Sequence, residues 1–241
     1  MLMPIHIRAG EGDVAERVVI VGDPARARQL SGLLTDVKVV NENRGFITYT
    51  GMYEDVRVSV AVHGVGAPSA AIVIEELIKL GAKLIIRLGT TGALRREIGI
   101  GDVIVPTGSA YNSGGIYMQY LGSTVNYPAV PNYDTLTALV QGLRDAGVRV
   151  WIGPVYSSDA FYAEEDLANV MGSRGILGVE METAILFLLG LLRGVRTGAV
   201  LVVSNNLTEG REGRFLTAEE LSPIIERVGK AVLSTITRID I

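Results

Sequence analysis

Cysteine is absent from the 241-residue sequence. That excludes disulfides, thiol nucleophiles and thiolate metal sites. Histidine is nearly absent: His6 and His63 are the two present, too few for a multi-histidine zinc centre. No Lys/Arg-rich run occurs and the formal net charge is −4, which argues against a nucleic-acid surface. No apolar run approaches the roughly 18 residues of a membrane span. Residues 183–203 come nearest, and Arg193, Arg196 and several glycines interrupt them. The opening MLMPIHIRAGEGD lacks the apolar core of a secretion signal. The expectation is a soluble cytoplasmic protein with no metal centre. Glutamine is also scarce, at three residues, and with the missing cysteine this hints at a thermophilic protein.

What is present is apolar and regularly punctuated. Hydrophobic residues make up 48% and charged residues 20%, enough for a sizeable core. Short β-branched runs at 17–23, 83–93, 102–110, 149–161 and 196–206 read as strands, the second and fourth ending in loops. Residues 46–66 alternate around a Glu-Asp turn and read as a hairpin. Helical spacing follows Pro24 and recurs at 69–82, 134–148, 175–194 and 217–239, with Asp134 a candidate cap. Residues 111–133, rich in Gly, Asn, Tyr and Pro, read as a long functional loop. No repeat, linker or low-complexity segment divides the chain. This alternation predicts one α/β domain over residues 1–241, a three-layer α/β/α unit whose mixed, largely parallel sheet is flanked by helices.

Polar residues interrupt the apolar runs at a few positions. In VGDPARA, a strand ends in Gly22 and a helix begins, with Arg26 one turn in; such a terminus suits an anion. It has neither the P-loop pattern nor the dinucleotide fingerprint. In IIRLGTTGA, Arg87 interrupts a strand beside Gly89, Thr90 and Thr91. The arginine, hydroxyls and backbone amides suit phosphate; an ion pair with a buried carboxylate is the alternative. Arg44 stands in the polar turn NENRGF. In GVEMETA, Glu180 and Glu182 flank Met181 at a helix start. They are either macrodipole partners or, for Glu182, a receptor for a sugar diol. Phe161 and Tyr162 can stack on a flat ring or simply pack. The strand 198–206 ends in Ser204, Asn205 and Asn206, either a turn or a polar group delivered to a strand-end site.

The motifs VGDPARA, RLGTTGA, SSDAFYAEED, GVEMETA and VVSNN occur in an order and spacing that resemble the hexameric nucleoside phosphorylase family. The similarity spans almost the whole chain. NENRGF, YNSGG and SSDAFYAEED look closest to its archaeal methylthioadenosine-type branch. The resemblance implies cleavage of a nucleoside by inorganic phosphate, a co-substrate rather than a cofactor, giving free base and pentose 1-phosphate. It implies phosphate binding by Gly22, Arg26, Arg87 and Thr90, with Arg44 supplied by a neighbouring subunit. It further implies ribose contacts from Met181, Glu182 and the neighbour's His6, and base contacts from Phe161, Ser204 and Asn205. Asn205, Arg87 and Glu182 are the catalytic candidates. A homohexamer built as a trimer of dimers is the expected assembly.

One position departs from the family pattern. Purine-specific relatives carry an aspartate, the proton donor to the leaving base, where this chain has Asn205. They also carry an arginine near the position of Leu221, for which Arg211 or Arg214 could substitute. A carboxamide offers a donor and an acceptor together but no acidic proton. This suggests preference for 6-oxopurine nucleosides, guanosine or inosine. The alternatives are a methylthioadenosine or adenosine phosphorylase, then a uridine phosphorylase that needs no such acid, or an Asp→Asn replacement. From other classes, a nucleosidase and a non-catalytic nucleoside-binding protein stay open. His63, a lone histidine among glycines, reads as structural.

Overall fold

A computed structural model of the chain describes residues 4–123, 125–163, 170–212 and 214–241. The first β-branched run forms β1 (Arg17–Val21), and Pro24 opens α1 (Pro24–Ser31). Asp23 caps that helix, its carboxylate accepting the Ala25 amide at 2.8 Å. β2 (Thr35–Asn41) and the expected hairpin, β3 (Thr48–Tyr53) and β4 (Val56–Val62), follow. The Glu54–Asp55 turn has φ of 47° and 62°, the left-handed pair that matches strand twist. Next come α2 (Ala67–Lys79), β5 (Leu84–Ala93), β6 (Val103–Tyr111), α3 (Gly115–Leu121), α4 (Tyr133–Asp145) and β7 (Val150–Ser157). β8 (Gly178–Glu180), α5 (Thr183–Arg193), β9 (Arg196–Asn206) and α6 (Ala218–Arg238) complete the order.

The strands form one mixed sheet in the order β2-β3-β4-β1-β5-β8-β7-β6-β9. β1 runs parallel to β4 and β5, and β5 parallel to β9; β3, β8 and β6 bring antiparallel pairings to β4, β5 and β9. The β5–β9 pairing joins the two ends of the run β5-β8-β7-β6-β9, so these five strands close on themselves. Their enclosed side chains include Ile104, Val155, Leu201 and Val203. Alternation along the strands feeds two larger cores. Val19, Val21, Leu84, Ile86 and Leu88 face one that also holds residues of α1, α4 and α6. Val18, Ile20 and Ile85 face the other, shared with α2 and α5. Among the described residues no helix is long and apolar enough to cross a membrane.

Four local expectations change. Thr90, Thr91 and Gly92 are not in a loop: β5 continues through them because β8 and β9 supply pairing partners. The segment 111–133 contains α3, whose Tyr117 is buried in the core against Tyr111 rather than in a binding loop. The cap of α4 is Asn132, whose side chain accepts the Thr135 amide at 3.0 Å, not Asp134. The stretch before α5 forms the short strand β8.

Candidate functional site

β1, β4, β5 and β9 are mutually parallel, so their C-terminal ends open on one side of the sheet. A cleft of about 750 Å³ lies there. Strand order fixes the sequence of groups across it. Gly22 follows β1, Gly64 follows β4, Arg87 and Thr90 belong to β5, and Ser204 and Asn205 to β9. Arg26 of α1, Phe161 and the Met181–Glu182 turn before α5 also line it. The last three residues of SSDAFYAEED, 164–166, lie outside the described residues.

Arg87 is the buried charge at the centre, with 4% of its surface exposed. Its position follows from parity: it shares the face of Ile85, opposite Ile86 and Leu88. One guanidinium nitrogen, Nη2, donates to Glu182 Oε2 and lies 3.5 Å from Glu180 Oε2. Nε and Nη1 are buried without hydrogen-bond partners. Arg87 therefore has the buried carboxylate partner that the alternative reading called for, and it keeps two donors without partners. Burial alone would lower its pKa; Glu182 and then Glu180 outweigh that and hold it above the ordinary arginine value.

The two glutamates divide the work. Glu180 is a backbone organiser: its Oε2 accepts the amides of Glu182 and Thr183, both at 2.9 Å, and Ser157 donates to its Oε1. It thereby satisfies the open amides at the start of α5. Glu182 lines the cleft, with Oε1 accepting the Gly66 amide at 2.7 Å and Oε2 held by Arg87. A carboxylate has further lone pairs for a ligand hydroxyl.

At the β1 end the cleft gathers positive charge. Burial, and then repulsion from Arg87, pull the Arg26 pKa down to about 10, partly offset by Asp23 and Glu182. Two guanidiniums that strain against each other in a semi-enclosed cleft relax when an anion binds between them. Gly22 leaves room here: a Cβ would stand 3.1 Å from the Gly64 carbonyl. His63 is fully buried beside Gly22, and neither ring nitrogen has a hydrogen-bond partner. Burial, then the Arg87 and Arg26 charges, push its pKa well below the usual histidine value. Its fully buried position fits the structural reading, and its neighbours are Gly22 and the two arginines of the cleft.

At the β9 end the two carboxamides separate. Asn206 is buried and cross-links the chain: its Nδ2 donates to the Arg95 and Ile98 carbonyls at 2.9 Å, and its Oδ1 accepts the Thr208 amide. Asn205 instead lines the cleft. The Ser204 hydroxyl donates to Asn205 Oδ1 at 3.0 Å, with the Thr91 carbonyl a longer alternative at 3.3 Å. Leu221 is buried in the α6 core, and Arg214 pairs with Glu220 and is absent from the cleft lining, so neither supplies a cation there. The side chain of Arg211 lies outside the described residues. Sequence reading missed Phe215, and it took Gly89 for its backbone amide rather than for the space it leaves. Phe215 lines the cleft next to Asn205. A Cβ at Gly89 would fall on the Arg87 guanidinium. An Arg–x–Gly spacing along a strand, which puts both residues on one face, was the available signal.

Residues 16–238 match the family described as the phosphorylase superfamily. The chain belongs to the phosphorylase superfamily. It is 36% identical over 237 residues to a guanosine phosphorylase of Halorubrum lacusprofundi, covering 96% of this chain and 97% of that one. It is 36% identical over 221 residues to a DeoD-type purine nucleoside phosphorylase of Bacillus cytotoxicus, covering 90% and 92%. Among solved structures it resembles uridine phosphorylase from Vibrio fischeri, with TM-score 0.87, 30% identity and 99% of both chains covered.

Within this phosphorylase-superfamily chain, His6 and Arg44 are the two expected site residues outside the cleft lining. They sit together. Asn43 Nδ2 donates to the His6 carbonyl at 3.0 Å, and Arg44 follows in the same turn with φ of 56°. Buried Glu76 gathers the His6 ring Nδ1 at 2.8 Å and the amides of Ile5, His6 and Ile7. Burial works to raise the Glu76 pKa; these donors outweigh it and hold it below the ordinary value. Arg44 is exposed and has no hydrogen bond or ion pair among the described residues.

Proposed function

We propose that this enzyme, a pentosyltransferase, cleaves purine nucleosides with inorganic phosphate, and that 6-oxopurine nucleosides are its preferred substrates. Superfamily membership and relatives named guanosine phosphorylase and purine nucleoside phosphorylase support the reaction class. The observation that carries the base preference is the Ser204–Asn205 pair. Ser204 donates to one lone pair of Oδ1, which biases the carboxamide so that Nδ2 faces outward. Nδ2 then donates to a purine O6, and the second lone pair of Oδ1 accepts a protonated N7. A 6-amino group presents N–H against N–H at the same point, an unpaired-donor penalty.

Phosphate sits between Arg26 and Arg87, using the unpaired Nε and Nη1, the Gly22 backbone and Thr90. Glu182 accepts the ribose hydroxyls while Met181 packs on the sugar and Phe161 on the base. As the glycosidic bond lengthens, the sugar becomes cationic. Phosphate below C1′ stabilises that charge and captures it, so catalysis is mainly positioning in a fixed field. Without a carboxylic acid at residue 205, the proton that reaches N7 comes from solvent water, and Asn205 Oδ1 stabilises the N7–H so formed rather than supplying it; a general acid is typically worth roughly 10²–10⁴-fold. Phosphate is a co-substrate and no further cofactor is required. The two donors that Arg87 leaves unused, together with Arg26 and Arg44, favour phosphate over water as nucleophile, against the nucleosidase reading.

His6 and Arg44 act in a neighbouring subunit's cleft. A dimer is then the smallest complete unit, and three dimers make a hexamer working in the cytoplasm. The deciding experiment compares guanosine, inosine, adenosine and methylthioadenosine, with and without phosphate, on the wild type and Asn205→Asp. The expected result is phosphate-dependent release with the 6-oxopurines ahead by tenfold or more in kcat/KM, and a shift toward adenosine in Asn205→Asp. Adenine nucleosides ahead by that margin in the wild type overturn the preference.

A further inference from the structure

Phe215 has no part in the reading above, yet it is held against Asn205 with unusual definition. Residues 205 and 215 form an antiparallel β-bridge, and the Leu216 amide donates to the Ser204 carbonyl at 3.0 Å. That flanking bond marks 205 and 215 as a non-hydrogen-bonded pair, the closer of the two antiparallel pairings, with both side chains on one face. The other side of Phe215 is anchored too. Leu216 is buried in the α6 core, and Thr217 opens α6 with a full capping box to Glu220. Glu220 also pairs with Arg214, next to Phe215.

Phe215 so placed is 57% exposed, and it lines the cleft. The chain has four Phe. Phe187 is buried in the core and Phe46 is half-buried, whereas Phe161, 53% exposed, and Phe215 both line the cleft. Two exposed rings bordering one cleft beside a carboxamide form a receptor for a flat heterocycle, since solvated aromatic surface gains most when a planar ligand covers it.

We propose that Phe215 is a base-binding residue that sets affinity for the purine ring system: it covers the heterocycle whose edge Asn205 reads. The contact is made with the ring and not with its 6-substituent, so it serves all purine bases alike. This rests on the nucleoside phosphorylase reading, but not on the 6-oxo preference.

The test uses Phe215→Ala, Phe215→Leu and a Phe215→Trp variant in a Trp151→Phe background. Trp151 is the one native tryptophan, and it lies on β7 with its ring N–H bound to Asp102. Base–aromatic stacking predicts that Phe215→Ala raises KM for guanosine, inosine and adenosine together by roughly 5- to 100-fold. The KM for phosphate stays within about twofold, because Arg26 and Arg87 are untouched. Phe215→Leu, which keeps apolar bulk without a flat ring, recovers only part of the loss. The reporter tryptophan is quenched by hypoxanthine and not by ribose 1-phosphate, a readout independent of turnover. A nucleoside KM unmoved in Phe215→Ala, or emission indifferent to hypoxanthine, overturns the proposal. If the wild type instead prefers adenosine while Phe215→Ala weakens every purine equally, the 6-oxo preference fails and this proposal stands. A Phe215→Ala loss confined to one base overturns it.

Discussion

A Cβ added to Gly89 would stand 1.8 Å from Nη1 of Arg87. The guanidinium cannot swing away cheaply, because its other nitrogen is fixed to Glu182 in a buried site. Gly89→Ala is therefore expected to displace the nitrogens proposed to bind phosphate: kcat/KM for phosphate falls by at least roughly tenfold, a small misplacement being enough for that, and the overpacked site lowers stability by about 1–3 kcal/mol. Steady-state kinetics beside a melting curve check it; an unaltered phosphate dependence would show that Nη1 has no ligand. His63 gives a pH prediction. Its folded pKa lies well below the unfolded value of about 6.5, so below that pH the unfolded chain binds a proton the folded chain refuses. Stability is thus lost as pH falls from about 6.5, by up to about 1.36 kcal/mol per pH unit from this one ring. Denaturant titrations of wild type and His63→Gln between pH 5 and 8 should give a difference with that slope; a difference independent of pH rules it out. Arg87, Glu182 and Asn205 were legible in the sequence because each is a polar residue inside an apolar run, an exception that calls for a partner. Phe215 was not, because its place comes from a pairing ten residues away, and Gly89 was legible as a backbone amide but not as the space over which the Arg87 side chain folds.

At the scale of elements, the start of α5 is held by one carboxylate. Glu180 accepts two backbone amides and the Ser157 hydroxyl, and that turn carries Met181 and Glu182 into the cleft. Glu180→Gln keeps the shape but turns one acceptor into a donor facing donors. The expected cost is about 1–3 kcal/mol, the price of a buried group left unsatisfied, seen as a lower denaturation midpoint at unchanged m-value. KM for nucleoside should rise as the Glu182 turn loosens; a variant equal to wild type in both would assign the capping to Ser157 and the backbone alone. Apart from α3, which lay in a segment read as a loop, the helices and most strands named above were readable from period and punctuation. The closure of β5-β8-β7-β6-β9 was not, since it depends on β5 finding β9 more than one hundred residues later, and no local pattern encodes a partner. That closure is also why Thr90 to Gly92 are strand and not loop. The β5–β9 register slips between Thr91 and Gly92, the kind of irregularity that re-aims side chains beside a site.

For the whole molecule, the separation of His6 and Arg44 from the cleft makes a stoichiometric prediction. If Arg44 completes a neighbour's phosphate site, a subunit carrying Arg44→Ala spoils its partner's cleft and leaves its own sound. A subunit carrying Arg26→Ala spoils its own cleft and leaves its partner's sound. A mixed dimer of the two then contains one cleft with both defects and one with neither. Random 1:1 assembly makes half the dimers mixed, so about a quarter of all clefts are intact, whether or not the dimers associate further. Co-expressed at equal levels and assayed at limiting phosphate, the pair should reach about a quarter of wild-type activity, well above either parent. Activity at the mean of the two parents would mean that each cleft is completed within its own chain. If the mixture instead reaches about a quarter, the Asn43 bonds to the Ile5 and His6 carbonyls, and the Glu76 bonds to the His6 loop, are the means by which one subunit keeps two side chains poised for another's substrate. A Glu76→Gln variant in the same mixing assay should lower activity when it stands opposite a sound cleft, and leave unchanged any cleft whose partner subunit is wild type.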